Sequence, residues 1–252
     1  MILLLGGTSE SGAIASALAQ AGEAVLVSTA TDEPLDIGTH ANIRRRCGRL
    51  DETAMLELVH QEGVRAIVDA AHPYAAAAHA TALAVAKQAG IDCVRFVRPR
   101  SIDPSLPGVH VVADHAQAAR LAFSFGRPVL LTTGANNLVP YVHESIRTKM
   151  ALVARVLPRS DSLDACTRAG LDSEHIIAAK GPFSLGQNVQ HIREHGIGTL
   201  VTKDGGDQGG TGAKLEAARQ EHCQVVVVAR PQDPSPNTVS DVYAILQRLK
   251  LG

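Results

Sequence analysis

Short apolar runs alternate with amphipathic helical stretches from the first residues onward, and this alternation constrains the fold more than any other feature of the chain. Ile2–Leu5 reads as a buried strand, Ser11–Ala21 as a helix, and Ala24–Ser28 as a second strand. Asn42–Cys47 reads as a weaker strand, interrupted by Arg44-Arg45-Arg46. Asp51–Gln61 is predicted helical, with Asp51 as N-cap because its carboxylate can accept an otherwise orphaned N–H. Ala66–Asp69, Tyr74–Gln88 and Cys93–Val97 continue the series as strand, helix and strand. Runs that are apolar on every residue must be covered on both faces, which predicts parallel sheets flanked by helices.

The texture changes between Arg98 and Pro107, where Pro99, Pro104 and Pro107 cluster as in a linker. A strand and a helix are read within Val109–Phe125, and the alternation then restarts. Strands are expected at 129–132, 152–156, 176–179, 200–202 and 225–229. Helices are expected at 160–169, 185–195 and 212–221, with a closing helix over 240–249. The fold class is therefore α/β, with two Rossmann-like domains at 1–105 and 106–252 and a substrate cleft between them. The length of 252 residues suits two such domains.

Composition narrows the function. With 24 Lys and Arg against 25 Asp and Glu, the net charge is -1, which argues against nucleic-acid binding driven by overall charge. Aromatic residues are 3% and Trp is absent, so base stacking on aromatic platforms is not expected. The four cysteines are scattered without a CxxC, so neither a zinc site nor a disulfide framework is expected, and no metal is assigned. The apolar start lacks a basic n-region, and no apolar run has the length of a membrane span. The expectation is a cytoplasmic protein with no membrane or nucleic-acid partner.

Gly6-Gly7-Thr8-Ser9-Glu10 occupies the first strand-to-helix turn, with Gly12 beyond. Paired glycines admit a diphosphate close to the backbone, and a helix N-terminus supplies N–H donors. The spacing is not GxGxxG, so a tight turn with a capped helix remains a second reading of the same residues. At the end of the second strand an NAD site usually carries an acidic residue. Here Ser28, Thr29 and Thr31 stand in that region, with Arg44, Arg45 and Arg46 nearby and Gly48 and Arg49 following the third strand. That set suits a 2′-phosphate, and hence NADPH over NADH, unless the arginines merely form a solvated face.

Ligands of parallel sheets bind beyond the C-terminal strand ends. Asp69-Ala70-Ala71-His72-Pro73-Tyr74 follows the fourth strand, with Pro73 able to take the first helical position. In the second half, Arg155 or Arg159, Lys180, Lys203 and Arg230 each bring a cation to a strand end. In a nearly neutral chain such focusing implies an anionic ligand. The glycine run 205–212 precedes Lys214 but is not a P-loop, because Leu215 follows the lysine.

Taken in order, Gly6-Gly7-Thr8-Ser9-Glu10, Ser28-Thr29-Ala30-Thr31, Asp69-Ala70-Ala71-His72-Pro73-Tyr74-Ala75, Arg98-Pro99, Ala154-Arg155-Val156-Leu157-Pro158, Gly181-Pro182-Phe183, Lys203-Asp204-Gly205-Gly206 and Arg230-Pro231 resemble the precorrin-6A reductase family over nearly the full length. The chain departs from that pattern at Ala71, where the family usually has Thr, and at Gly205, where it usually has Ser. The resemblance implies NADPH-dependent hydride transfer to one double bond of a tetrapyrrole, converting precorrin-6A to precorrin-6B in cobalamin biosynthesis. It implies a carboxylate-rich substrate met by Arg155, Arg159, Lys180, Lys203 and Lys214. His72-Pro73 and Gly181-Pro182-Phe183 would line the same ligand. His72, Tyr74 and Asp204 are the candidate proton donors. A cobalt-containing, NADH-linked version of the reaction stays open. Two rivals were weighed. A short-chain reductase needs a Tyr-xxx-Lys pair, which Tyr74, Tyr141 and Tyr243 all lack. A non-catalytic dinucleotide-binding sensor would need no cationic second site.

Overall fold

The structure, a computed structural model, describes residues 1–99, 101–205, 210–231, 235 and 237–251. The first stretch runs β1 (Ile2–Leu5), α1 (Ser11–Gln20), β2 (Val25–Thr29), β3 (Ile43–Cys47), α2 (Glu52–Gln61), β4 (Ala66–Asp69), α3 (Ala76–Ala89) and β5 (Asp92–Phe96). The second runs β6 (Val109–Val112), α4 (His115–Ser124), β7 (Val129–Leu131), α5 (Val139–Thr148), β8 (Leu152–Val156), α6 (Ser160–Ala169) and β9 (Ile176–Ala178). It continues through α7 (Leu185–Glu194), β10 (Thr199–Lys203), α8 (Thr211–Gln220) and β11 (Gln224–Val228). The tail forms β12 (Thr238–Val239) and α9 (Val242–Arg248).

Two compact units result, Met1–Pro99 with Pro231–Gly252, and Arg100–Arg230. In the first, all strand pairings are parallel in the order β12-β5-β4-β1-β2-β3. The chain reverses its direction of growth between β1 and β4, the switch point where such sheets open a crevice. Strand alternation explains the two helical layers, because successive side chains point to opposite faces. Ile2 and Leu4 pack with Ile14, Leu18 and Ile245 of α1 and α9. Leu3 and Leu5 pack with Met55, Val59 and Val85 of α2 and α3. Each such side chain, once buried, stabilises the unit by about 1.5–3 kcal/mol. The arginines of β3 do not break the strand. It lies at the sheet edge, where charged side chains are tolerated.

The second unit holds a parallel sheet ordered β6-β11-β10-β7-β8-β9, with its own switch point between β7 and β10. Phe123, Leu131, Tyr141 and Leu152 fill one face, and Leu130, Ile192, Leu200 and Val227 the other. Ser184 starts α7 with a reciprocal capping box to Gln187, satisfying two helix-end donors. Asp51 caps α2 as expected, accepting from the Ala54 N–H at 2.8 Å.

Two sequence expectations require correction. The tail was expected in the second domain, but residues 231–252 complete the first unit. The reason is pairing: β12 adds to β5, with Arg95 N–H donating to the Asn237 carbonyl and Val97 N–H to that of Val239. Pro73 does not open α3 either; the helix begins at Ala76, after a turn in which Ala75 N–H donates to the His72 carbonyl at 2.7 Å. Among the described residues no helix is long and apolar enough to cross a membrane.

Candidate active site

Gly6 and Gly7 leave β1 at the switch point of the first sheet. Gly6 N–H donates to the Ser28 carbonyl at 2.9 Å, and Gly7 adopts φ 104°, a conformation that favours glycine. Thr8 is buried, and its hydroxyl donates to the Ala70 carbonyl at 3.0 Å, joining the glycine turn to the segment after β4. No side chain caps the start of α1. Ser9 donates to the Glu10 carboxylate at 3.0 Å, and that carboxylate pairs with Arg98 beyond β5. An uncapped helix start with its nearby acid already neutralised is an arrangement into which a diphosphate fits.

The three arginines of β3 have separate partners rather than one solvated face. Arg44 pairs with Glu62 at 2.6 Å. Arg45 reaches the loop after β2, donating to the Thr29 hydroxyl at 3.1 Å, the Thr31 carbonyl at 3.2 Å and the Glu33 carbonyl at 2.7 Å. Arg46 donates to the Ser28 hydroxyl at 2.8 Å and to the Gly48 carbonyl at 2.9 Å, so its guanidinium sits at the end of β2. Arg49 is exposed.

Beyond β4, His72 is exposed in its turn and its ring lies 5.8 Å from that of Tyr74. Its Nδ1 accepts the Tyr74 N–H at 3.3 Å, which leaves Nε2 as the nitrogen that can carry a proton outward. Ala71, where the family usually has Thr, contributes its backbone N–H to Asp69 at 3.1 Å.

The strand-end cations of the second unit differ in their surroundings. Arg230 pairs with Asp204 at 3.0 Å, and the same carboxylate accepts from the Ser101 hydroxyl at 3.0 Å. These partners are donors, so Asp204 serves there as an acceptor tying three segments together. Arg159 lies 3.3 Å from Asp161. Lys180 is exposed and Lys203 half-buried. Two of these cations thus lie in ion pairs, Arg230 with Asp204 and Arg159 with Asp161.

Arg155 is different. It is 5% exposed, and no carboxylate pairs with it among the described residues. Its guanidinium lies 3.9 Å from the Phe183 ring centroid, and Nη1 donates to Asn188 at 2.8 Å and to His191 Nδ1 at 3.3 Å. Nη2 is buried without a hydrogen-bond partner. Burial pushes its pKa down to about 10. Burial, joined by the Arg155 charge, pushes Lys214 of α8 down to about 8. Gly181 permits the loop geometry, since a Cβ there would come within 3.1 Å of the Phe183 ring, and Pro182 packs beside Gly210 at the start of α8. A buried guanidinium with no carboxylate partner among the described residues is an arrangement that suits an anion.

Sequence reasoning missed two clusters. His79 and Arg95 meet Asp69, and the available signal was a pair of opposite charges inside two neighbouring, largely apolar strands, Asp69 in register with Arg95. His115 Nδ1 meets the Tyr141 hydroxyl at 2.8 Å, and burial, reinforced by the Lys203 charge, pushes the imidazole down to about 4. No sequence signal marks that pair. Gly206 lies outside the described residues.

The first unit thus has a Rossmann-type fold with a glycine turn at its switch point, and the second carries the buried Arg155. The profile of the family described as Precorrin-6x reductase CbiJ/CobK matches residues 1–250. The chain belongs to that family. It is 32% identical over 233 residues to the cobalt-precorrin-6A reductase of Priestia megaterium, covering 92% of this chain and 91% of that one. It is 32% identical over 242 residues to the precorrin-6A reductase of Rhodococcus erythropolis, covering 96% and 94%. A solved structure titled CobK precorrin-6A reductase superposes with TM-score 0.77 at 24% identity, covering 99% of this chain and 96% of that one. The fold is therefore shared over essentially the whole chain.

Proposed function

We propose that this protein reduces one double bond of precorrin-6A, or of its cobalt-containing form, using NADPH, and so yields precorrin-6B. The observation that carries the reading is the buried Arg155, whose Nη2 has no hydrogen-bond partner and with which no carboxylate pairs among the described residues. A tetrapyrrole bearing carboxylates supplies the charge this site lacks, whereas a dinucleotide-binding sensor has no use for it. Lys180 and Lys203 extend the same cationic character, and Phe183 holds the Arg155 guanidinium in place from below.

Gly6, Gly7, Thr8 and Ser9 would hold the diphosphate against the start of α1. Ser28 and Arg46 would meet the 2′-phosphate, with Thr29, Thr31, Gly48 and Arg49 around it. The bound nicotinamide supplies the hydride. The chain's own part is to orient the reacting groups, and to deliver a proton, for which His72 Nε2 is the better placed donor. Tyr74 is the second candidate. Asp204 is a weaker one because its observed partners all donate to it.

Anaerobic assay of the purified protein with precorrin-6A tests the reading, following NADPH oxidation and the absorbance of the macrocycle together. The expected result is turnover with NADPH well above that with NADH. Arg46→Ala is expected to lower kcat/KM for NADPH about 10- to 100-fold while leaving NADH nearly unchanged. Absence of turnover by folded protein would count against the reaction, and a clear preference for NADH would remove the 2′-phosphate assignment.

A further inference from the structure

A histidine outside every motif above grips the turn that carries His72. Asp69, 1% exposed at the end of β4, accepts His79 Nδ1 at 2.7 Å and Arg95 Nη1 at 2.8 Å on one oxygen, and Ala71 N–H at 3.1 Å on the other. The second ring nitrogen of His79, Nε2, lies 3.1 Å from the His72 carbonyl oxygen. A carbonyl oxygen only accepts. Burial pushes the Asp69 carboxyl up, but the His79 hydrogen bond, the charges of His79 and Arg95 and the Ala71 N–H outweigh it, so the group stays ionised and also accepts. Both nitrogens of His79 therefore face acceptors, and both contacts are made together when the ring donates from each.

The neighbouring contacts give this a direction. The His72 carbonyl also accepts Ala75 N–H, and the Ala70 carbonyl accepts the Thr8 hydroxyl. The imidazole of His79 thus joins the first turn of α3 to a backbone segment already tied to the glycine loop. Releasing it would leave the His72 carbonyl held by the Ala75 N–H alone and uncouple it from the buried Asp69 carboxylate. Asp69, Arg95 and the His72 backbone are the charged or polar partners that face the ring.

We propose that His79 is a positioning residue: a doubly donating imidazole that clamps the His72 turn to the buried Asp69 carboxylate. The clamp rests on the proposed function only in what His72 does once held. The geometry itself is independent of it.

Two measurements test the clamp separately from the reaction. In the full chain labelled with 15N-histidine, His79 is expected to show protons on both ring nitrogens, assigned by their loss in His79→Gln. An unprotonated His79 nitrogen would overturn the proposal. In turnover assays His79→Phe, which keeps the bulk but no donor, is expected to lower kcat about 10- to 100-fold with KM for NADPH changed less than about threefold. His79→Gln, which can donate to both acceptors, is expected to recover part of that loss. Full kcat in His79→Phe would overturn the positioning role, and if that variant does not fold, the nitrogen signals of the unaltered protein still decide. An unaltered protein that is inactive on precorrin-6A, yet shows the doubly protonated ring, would fault the functional reading and leave the clamp standing.

Discussion

Asp69 and Arg155 are both buried charges on parallel strands, one in each unit, and they are handled in opposite ways. Around Asp69 the chain supplies its own counter-charges, His79 at 2.7 Å and Arg95 at 2.8 Å. Around Arg155 it supplies an aromatic face, an amide and a neutral acceptor, and no carboxylate among the described residues. A self-neutralised cluster fixes backbone. An unneutralised one costs the free protein stability and is retained where an anion from outside completes it. The same physical quantity, buried charge, thus separates the part of the molecule that holds itself from the part that holds a ligand.

The largest test of this contrast is Arg95→Ala. It strips one counter-charge from buried Asp69 and is expected to destabilise the first unit by about 3–5 kcal/mol, read as a lower Tm in thermal unfolding. A loss below about 1 kcal/mol would erase the contrast from that side.

The opposite sign is expected at Arg155. Burial lowers its pKa to about 10, which marks the cation as destabilising in the folded state at neutral pH. Arg155→Met removes it and leaves the Tm unchanged or raised, with a gain of up to about 3 kcal/mol, while KM for the tetrapyrrole rises about 10- to 100-fold. A large fall in Tm with KM unaltered would mark Arg155 as structural instead.

A smaller effect follows from Lys214, whose pKa falls from 10.5 to about 8. Below about pH 8 the amine is charged in both folded and unfolded chains, and the penalty of its burial is fully present. As pH rises from about 8 towards 10.5 the folded protein releases that proton first, so the penalty is relieved and this contribution to stability increases. Anion binding moves the other way and weakens above about pH 8. KM for the tetrapyrrole should therefore climb through that range in the unaltered protein, and the climb should be missing in Lys214→Gln. A flat profile in the unaltered protein would place Lys214 away from the ligand.

Much of the contrast lies beyond what the linear chain displays. The strands were legible because β1, β2, β4 and β11 are apolar at nearly every position, which only a doubly covered parallel sheet accommodates. β12 was not, being two residues long after a proline-rich stretch. α5 lacks a clean apolar stripe, as Val139 and Ile146 are exposed and Pro140 sits in its first turn. At the site, Arg155 stood out as a cation at a strand end, and Lys214 as the lysine after a glycine run. Which cations remain unneutralised depends on partners far off in sequence, Asp204 for Arg230 among them. His79 was hidden for a related reason. Within an alanine-rich helix it becomes a partner of Asp69 only once α3 packs beside β4.

The return of β12 and α9 to the first sheet sets an order on synthesis. The entire second unit emerges from the ribosome before the strand that completes the first sheet, a delay on the order of ten seconds at ordinary translation rates. During that interval β5 is an open sheet edge, the kind of surface that pairs with other chains. The first unit, though its translation begins first, is therefore the last to be finished, and a ribosome that stops early leaves it incomplete while the second unit is already whole.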